Sequence, residues 1–247
     1  MIQELTQKIQ NLPIEEQLEF LAKEFEGRIA FSTSFGQEDQ IISHIILSNN
    51  IPIEIFTLDT GRMFEETYKI WNITNKKYNT KITAYFPDKN EVEKMVKEKG
   101  IYSFYNSIDD RKECCNIRKV YPLTRALKNI DLWITGLRAE QSVTRTDLAL
   151  LEENKTFNVI KFNPLTKWTY QDVLDYIKQN NIPYNELHDK GFLSIGCAPC
   201  TRAVKKGEDI RAGRWWWESK DKKECGLHVD SKVETRNLKI ESSKIKL

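Results

Sequence analysis

The stretch RIAFSTSFGQEDQIISHIILSNN, residues 28–50, changes its pattern halfway along. RIAFST is a short apolar run of the kind that forms a buried strand. After a turn carrying Gly36, QEDQIISHIILSNN shows apolar residues at helical spacing. The same change recurs downstream. IEIFTL (53–58) is followed by MFEETYKIWNITNK (63–76), KITAYF (81–86) by NEVEKMVKEKG (90–100), and a cysteine-bearing helical segment leads into DLWITG (131–136). Strands alternating with helices predict parallel βαβ units and a doubly wound, mostly parallel α/β sheet.

Upstream of Arg28, two amphipathic helices are expected, one through Leu5, Ile9 and Leu12 and one beginning after Pro13 with Leu18, Leu21 and Phe25 on one face. TYQDVLDYIKQNN (169–181) reads as a further helix, with Thr169 at its N-cap and Asp172 three residues on. Beyond Pro183 the alternation stops, and Gly191, Gly196, Pro199, Gly207 and Gly213 punctuate an irregular stretch ending in a charged tail. One domain is expected: a helical cap over 1–27, an α/β nucleotide-binding core over 28–182, a segment of cysteines, arginines and tryptophans over 183–217, and a mobile tail over 218–247.

The 38 Lys and Arg against 36 Asp and Glu leave a net charge of +2, which gives no global attraction to nucleic acid or membrane; an anion site has to be local. Apolar runs such as Ile41 to Leu47 are too short to span a bilayer, and MIQELTQKIQ lacks the apolar core of a signal peptide, so a cytoplasmic protein is expected. An odd count of five cysteines then argues for metal binding or thiol chemistry instead of a disulfide framework.

Cys114 and Cys115 are adjacent in ECCNIRK, and CAPC places Cys197 and Cys200 two residues apart. Four thiolates from two segments can close a tetrahedral metal site or hold an iron–sulfur cluster. Neighbouring helical side chains diverge, so an adjacent pair serves one centre only with local strain or where the centre is as large as a cluster, which favours a cubane over a single zinc. Two buried cysteines beside a redox pair remain the alternative. Cys225 is left over in KKECGLH (222–228), with His228 three residues away and Lys222 and Lys223 before it. Nearby positive charge lowers a thiol pKa from about 8.5, so this cysteine is a candidate nucleophile, against an exposed spare thiol.

In a doubly wound sheet, ligands bind beyond the carboxyl ends of the strands where strand order reverses. That points to the loops SFGQED, LDTGRM and TGLRAEQ. Ser32, Ser34 and Gly36 can place hydroxyls and backbone N–H groups around an anion at a helix N-terminus. Asp59 and Thr60 can cap the helix that follows LDTG. Gly136, Arg138 and Arg145 lie in or after the turn that ends DLWITG, and Arg211 and Arg214 precede three tryptophans. Arginine's planar fork suits phosphate and sulfate oxygens.

Taken in order, STSFGQEDQ, LDTGRMFEETY, CCNIRKVYPL, TGLRAEQSVTR, NPLTKWTYQDVLDYI, GCAPCTR, RAGRWWWE and ECGLH resemble the adenylyl-sulfate and phosphoadenylyl-sulfate reductases of assimilatory sulfate reduction, from about Arg28 to His228. The resemblance implies an adenine nucleotide alpha hydrolase-like, Rossmann-like fold. It implies a 4Fe-4S cluster on Cys114, Cys115, Cys197 and Cys200, and Cys225 as nucleophile in the ECGLH signature with His228 beside it. Lys119 would link the cluster region electrostatically to the substrate anion, and Arg211 and Arg214 would contact the phosphosulfate. The LDTG region, with Asp59 and Thr60, would lie against the adenosine.

The implied activity is reduction of adenosine 5'-phosphosulfate (APS) by thioredoxin or glutaredoxin, through a thiosulfonate on Cys225, in a homo-oligomer. Reduction of the 3'-phosphorylated substrate, or of both, stands as a close alternative. An ATP-pyrophosphatase-type adenylating enzyme and a zinc-stabilised nucleotide-binding module stand as alternatives of other classes.

Overall fold

The computed structural model describes residues 1–141 and 148–218. Helices α1 (Ile2–Ile9) and α2 (Ile14–Glu24) come first. The alternation then follows: β1 (Ile29–Thr33), α3 (Gln37–Ser48), β2 (Glu54–Leu58), α4 (Glu65–Lys77), β3 (Thr83–Tyr85) and α5 (Lys89–Lys99). Next stand α6 (Ile108–Cys115), α7 (Tyr121–Ala126), β4 (Leu132–Ile134), β5 (Leu151–Asn154), β6 (Val159–Phe162) and α8 (Tyr170–Gln179). The six strands form one sheet in the order β3-β2-β1-β4-β6-β5, parallel except for the antiparallel pair β5 and β6.

Strand β1 is the pivot. Chain order runs from β1 through β2 to β3 on one side, then returns to place β4 on the other side. The carboxyl ends of β1 and β4 therefore border the crevice where strand order reverses. Leu5, Ile9, Leu18 and Leu21 from α1 and α2 join Phe31, Ile41, Ile45, Ile134 and Phe162 in the main core, so the first two helices close one face of the sheet. At α8, the Thr169 side chain accepts from the Asp172 backbone N–H while the Asp172 carboxylate accepts from the Thr169 N–H, the reciprocal cap expected from the sequence.

The β5–β6 hairpin was not among the expected strands. Asn158, with φ 53°, makes the turn into β6, whose four residues are all buried. Among the described residues no helix is long and apolar enough to cross a membrane.

Candidate active site

The turns that follow β1, β2 and β4 open into one cavity of about 280 Å³. Ser32, Ser34, Gly36, Thr60, Gly136 and Arg138 line it from the sheet side, and Lys119, Cys197, Arg211 and Arg214 from the other. Residues far apart in the chain thus meet around one space. Arg145, Cys225 and His228 lie outside the described residues.

The turn after β1 is internally bonded. Phe35, at φ 60°, donates its N–H to Thr33 Oγ1, and its ring is fully buried against Trp71. Ser34 donates both its N–H (2.6 Å) and its hydroxyl (2.7 Å) to Asp39 Oδ2, while Ser32 Oγ accepts from Trp133 Nε1 at 2.8 Å. Two of the donors expected to face a ligand anion thus hold a carboxylate of the protein's own first helical turn. Burial pushes the Asp39 carboxyl up to about 6 against the opposing pull of Ser34. Gly136 is required here, because a Cβ at that position would lie 2.1 Å from Asp39 Oδ1.

Arg138 is 1% exposed and spoken for by carboxylates: Nε donates to Glu38 and Nη1 to Glu140 and to the Trp168 carbonyl. It braces the cavity wall. Asp59 is buried behind the cavity wall, in the capping role its place in LDTG suggested. Its carboxylate accepts from the Gly61 N–H at 2.7 Å and from Tyr68 Oη, shaping the LDTG turn. Thr60 is the residue of that turn that reaches the cavity.

The cysteines gather beside it. Buried Cys114 and Cys200, with partly buried Cys115 and Cys197, belong to one apolar cluster with Met95, Phe104, Ile117 and Trp215. All four are free thiols. Burial and the neighbouring Cys197 push the Cys200 thiol up to about 12, and burial raises Cys114 against the pull of Arg62 and Arg118. Directly after Cys115 the helix widens into a single π turn, Asn116–Val120, closed by the bond from the Tyr121 N–H to the Asn116 carbonyl. That turn carries Arg118 and Lys119, so Lys119 is displaced from regular α-helical register with Cys115.

Several functional neighbours escaped sequence reasoning. Arg118 is buried and donates to the Thr60 carbonyl at 2.6 Å. Arg111 is 1% exposed and paired bidentately with Glu218. The guanidiniums of Arg111 and Arg214 each lie 4.8 Å from the centroid of the Trp215 ring. Arg214 also packs so tightly on Gly196 that a Cβ there would come 2.3 Å from its Nη2. His188, which had no assigned partner, lines the cavity with both ring nitrogens buried and without a hydrogen bond. Surface-like sequence contexts such as NIRKV and DDRKE hide the buried arginines.

A parallel sheet whose strand reversal is furnished with serine and glycine turns, facing arginines and a lysine across a nucleotide-sized cavity, is an adenine nucleotide alpha hydrolase-like domain. Residues 28–203 match the family model of the phosphoadenosine phosphosulfate reductase domain, and the chain belongs to that family.

It is 48% identical over 202 residues to an adenosine 5'-phosphosulfate reductase of Burkholderia cepacia, covering 82% of this chain and 81% of that one. With the reductase of the same name from Sinorhizobium fredii it shares 44% identity over 225 residues, covering 91% and 89%. The crystal structure of phosphoadenylyl-sulfate reductase from Candida auris, a phosphate complex, superposes with a TM-score of 0.70 at 28% identity, over 82% of this chain and 96% of that one. Candida glabrata FMN adenylyltransferase, at 14% identity and a TM-score of 0.53, shares the fold alone.

Proposed function

We propose that this oxidoreductase reduces adenosine 5'-phosphosulfate to sulfite and AMP in sulfate assimilation, with a dithiol protein of the thioredoxin or glutaredoxin class as electron source. The observation that carries the reading is the two-sided cavity: nucleotide-type turns of β1 and β4 on one side, Lys119, Arg211, Arg214 and Cys197 on the other. That arrangement seats a nucleoside against the sheet ends and its charged 5' group toward the cations.

In this account the Cys225 thiolate attacks the sulfur of the substrate. An S–S bond forms, the S–O bond to the phosphate breaks, and AMP leaves with the electron pair. Lys119, Arg211 and Arg214 act where negative charge develops on the leaving phosphate and the sulfonyl oxygens. A thiolate of the reductant then attacks Cys225 Sγ and sulfite departs with the bonding pair. Its second thiol closes a disulfide and restores Cys225, so the dithiol supplies both electrons.

Cys114, Cys115, Cys197 and Cys200 would hold a 4Fe-4S cluster. The donor set is all sulfur in one apolar pocket, two of the four from adjacent positions, which suits a polynuclear group better than a single zinc. When bound, the cluster supplies a fixed charged body that braces the cavity wall. Binding of the metal would take the protons off these thiols.

The names of the curated relatives favour APS over its 3'-phosphorylated form. Sulfite release from each compound, with reduced thioredoxin present and absent, tests the proposal. Thioredoxin-dependent release from APS is expected, and release from neither compound sinks it.

A further inference from the structure

We infer that Arg62 is a positioning residue for the metal–sulfur group of the four cysteines, an inference that rests on reading those cysteines as its ligands. Arg62 follows the LDTG turn, and its backbone is stitched to both sides of the site. Its N–H donates to Thr60 Oγ1 at 3.2 Å, and its carbonyl accepts the N–H of Ala198, inside the Cys-x-x-C turn, at 2.8 Å.

The head of the side chain is fixed as well. Nη2 donates to the Ile101 carbonyl at 2.5 Å, and the guanidinium lies 4.8 Å from the ring centroid of Phe104, which packs in the same apolar cluster as the cysteines. What remains is Nη1, buried and without a hydrogen-bond acceptor. Arg118 Nε and Arg214 Nε, from the two other segments around the cysteines, are buried and unaccepted too.

Guanidinium N–H groups removed from water are costly unless an acceptor meets them, and cations near one another add repulsion. Neutral thiols are poor acceptors. Such a surround suits an anionic, acceptor-rich body at the cysteines, as a thiolate-ligated iron–sulfur group is. Arg62 then does two things. It holds that group through an N–H directed to sulfur, and its positive charge favours the reduced state. Residues next to a ligand set commonly change metal retention by about 10- to 100-fold.

The test uses anaerobically purified, loaded protein as wild type, Arg62→Met and Arg62→Lys. Iron release to a ferrous chelator and the reduction midpoint of the bound group are measured, together with melting of the loaded and metal-free chains. Arg62→Met is expected to release iron about tenfold faster and to shift the midpoint to more negative potential, with Arg62→Lys intermediate. Its melting loss should be larger in the loaded chain than in the metal-free one. If Arg62→Met does not fold, Arg62→Lys against wild type decides by the same readouts. Brown wild type with unchanged release and midpoint in the variants overturns the role of Arg62 alone, as does an equal melting loss with and without metal. Wild type that holds no iron overturns the ligand reading and this inference together.

Discussion

Thr60 Oγ1 and Cys197 Sγ lie 3.3 Å apart although 137 positions separate them in the chain. Both residues line the cavity, so its wall and the first cysteine of the Cys-x-x-C turn are the same piece of structure. Thr60→Val keeps the shape and removes the hydroxyl. Iron release is expected to rise by about tenfold and KM for the nucleotide to rise with it, while Thr60→Ser behaves as wild type. Unchanged iron retention in Thr60→Val would show that the shared wall is only a contact.

Lys119 faces the cavity from the π turn that follows the cysteine pair. A half-buried lysine contributes little to folding, whereas a charge facing the reacting sulfate acts in the transition state. Lys119→Ala is therefore expected to melt as wild type does and to lose about 100-fold or more in kcat/KM. Unimpaired kinetics would return Lys119 to a structural role.

The Asp39 carboxyl titrates at about 6 in the fold, against 3.8 for the free group. The folded state therefore binds this proton more tightly than the unfolded state. Its contribution to stability is full below about pH 4, is lost as pH rises to about 6, and stays lost above, an amount on the order of 3 kcal/mol. Asp39→Asn lacks this titration. Urea unfolding of the two proteins at pH 4, 5, 6 and 7 should show wild type losing stability relative to the variant between pH 4 and 6. A difference independent of pH would contradict the burial argument.

Arg111 and Glu218 join α6 to the end of the described chain, and both side chains are nearly inaccessible, at 1% and 3%. Removing one partner strands the other. Arg111→Met should cost about 3–5 kcal/mol, and the double variant Arg111→Met/Glu218→Gln should recover most of it. Additive losses in the double-mutant cycle would mean that the two charges are not coupled.

Much of the architecture was legible because burial on both faces of a parallel sheet writes continuous apolar runs, as in Ile29–Thr33 and Glu54–Leu58 with its buried centre. Short β5, with three polar residues out of four, carried no such run, and the four-residue run of β6 drew no reading of its own. Ser34, Gly136 and Lys119, singled out from their positions after strands or near cysteines, all line the cavity. Asp39 and Arg138 behaved differently from a bare anion pocket because tertiary partners, Ser34 in one case and Glu38 in the other, use the groups that the sequence presents as available. Arg118 and Arg62 were invisible for the same reason: a charged residue in a helical or turn context reads as solvated, and only the folded surround shows Arg118 buried and the Nη1 of Arg62 out of water. The π turn at Asn116–Val120 has no signature in residue types at all.

In the proposed reaction Cys225 takes the sulfonate group before any reductant acts. Mixing enzyme with APS and no thioredoxin, then counting AMP and mapping the modification by mass spectrometry, tests it directly. One AMP per active site is expected, then a stall, with a sulfonate on the peptide of Cys225 and on no other cysteine, and sulfite released only when reduced thioredoxin is added. AMP that forms only when thioredoxin is present, or a sulfonate on one of the other cysteines, would contradict it.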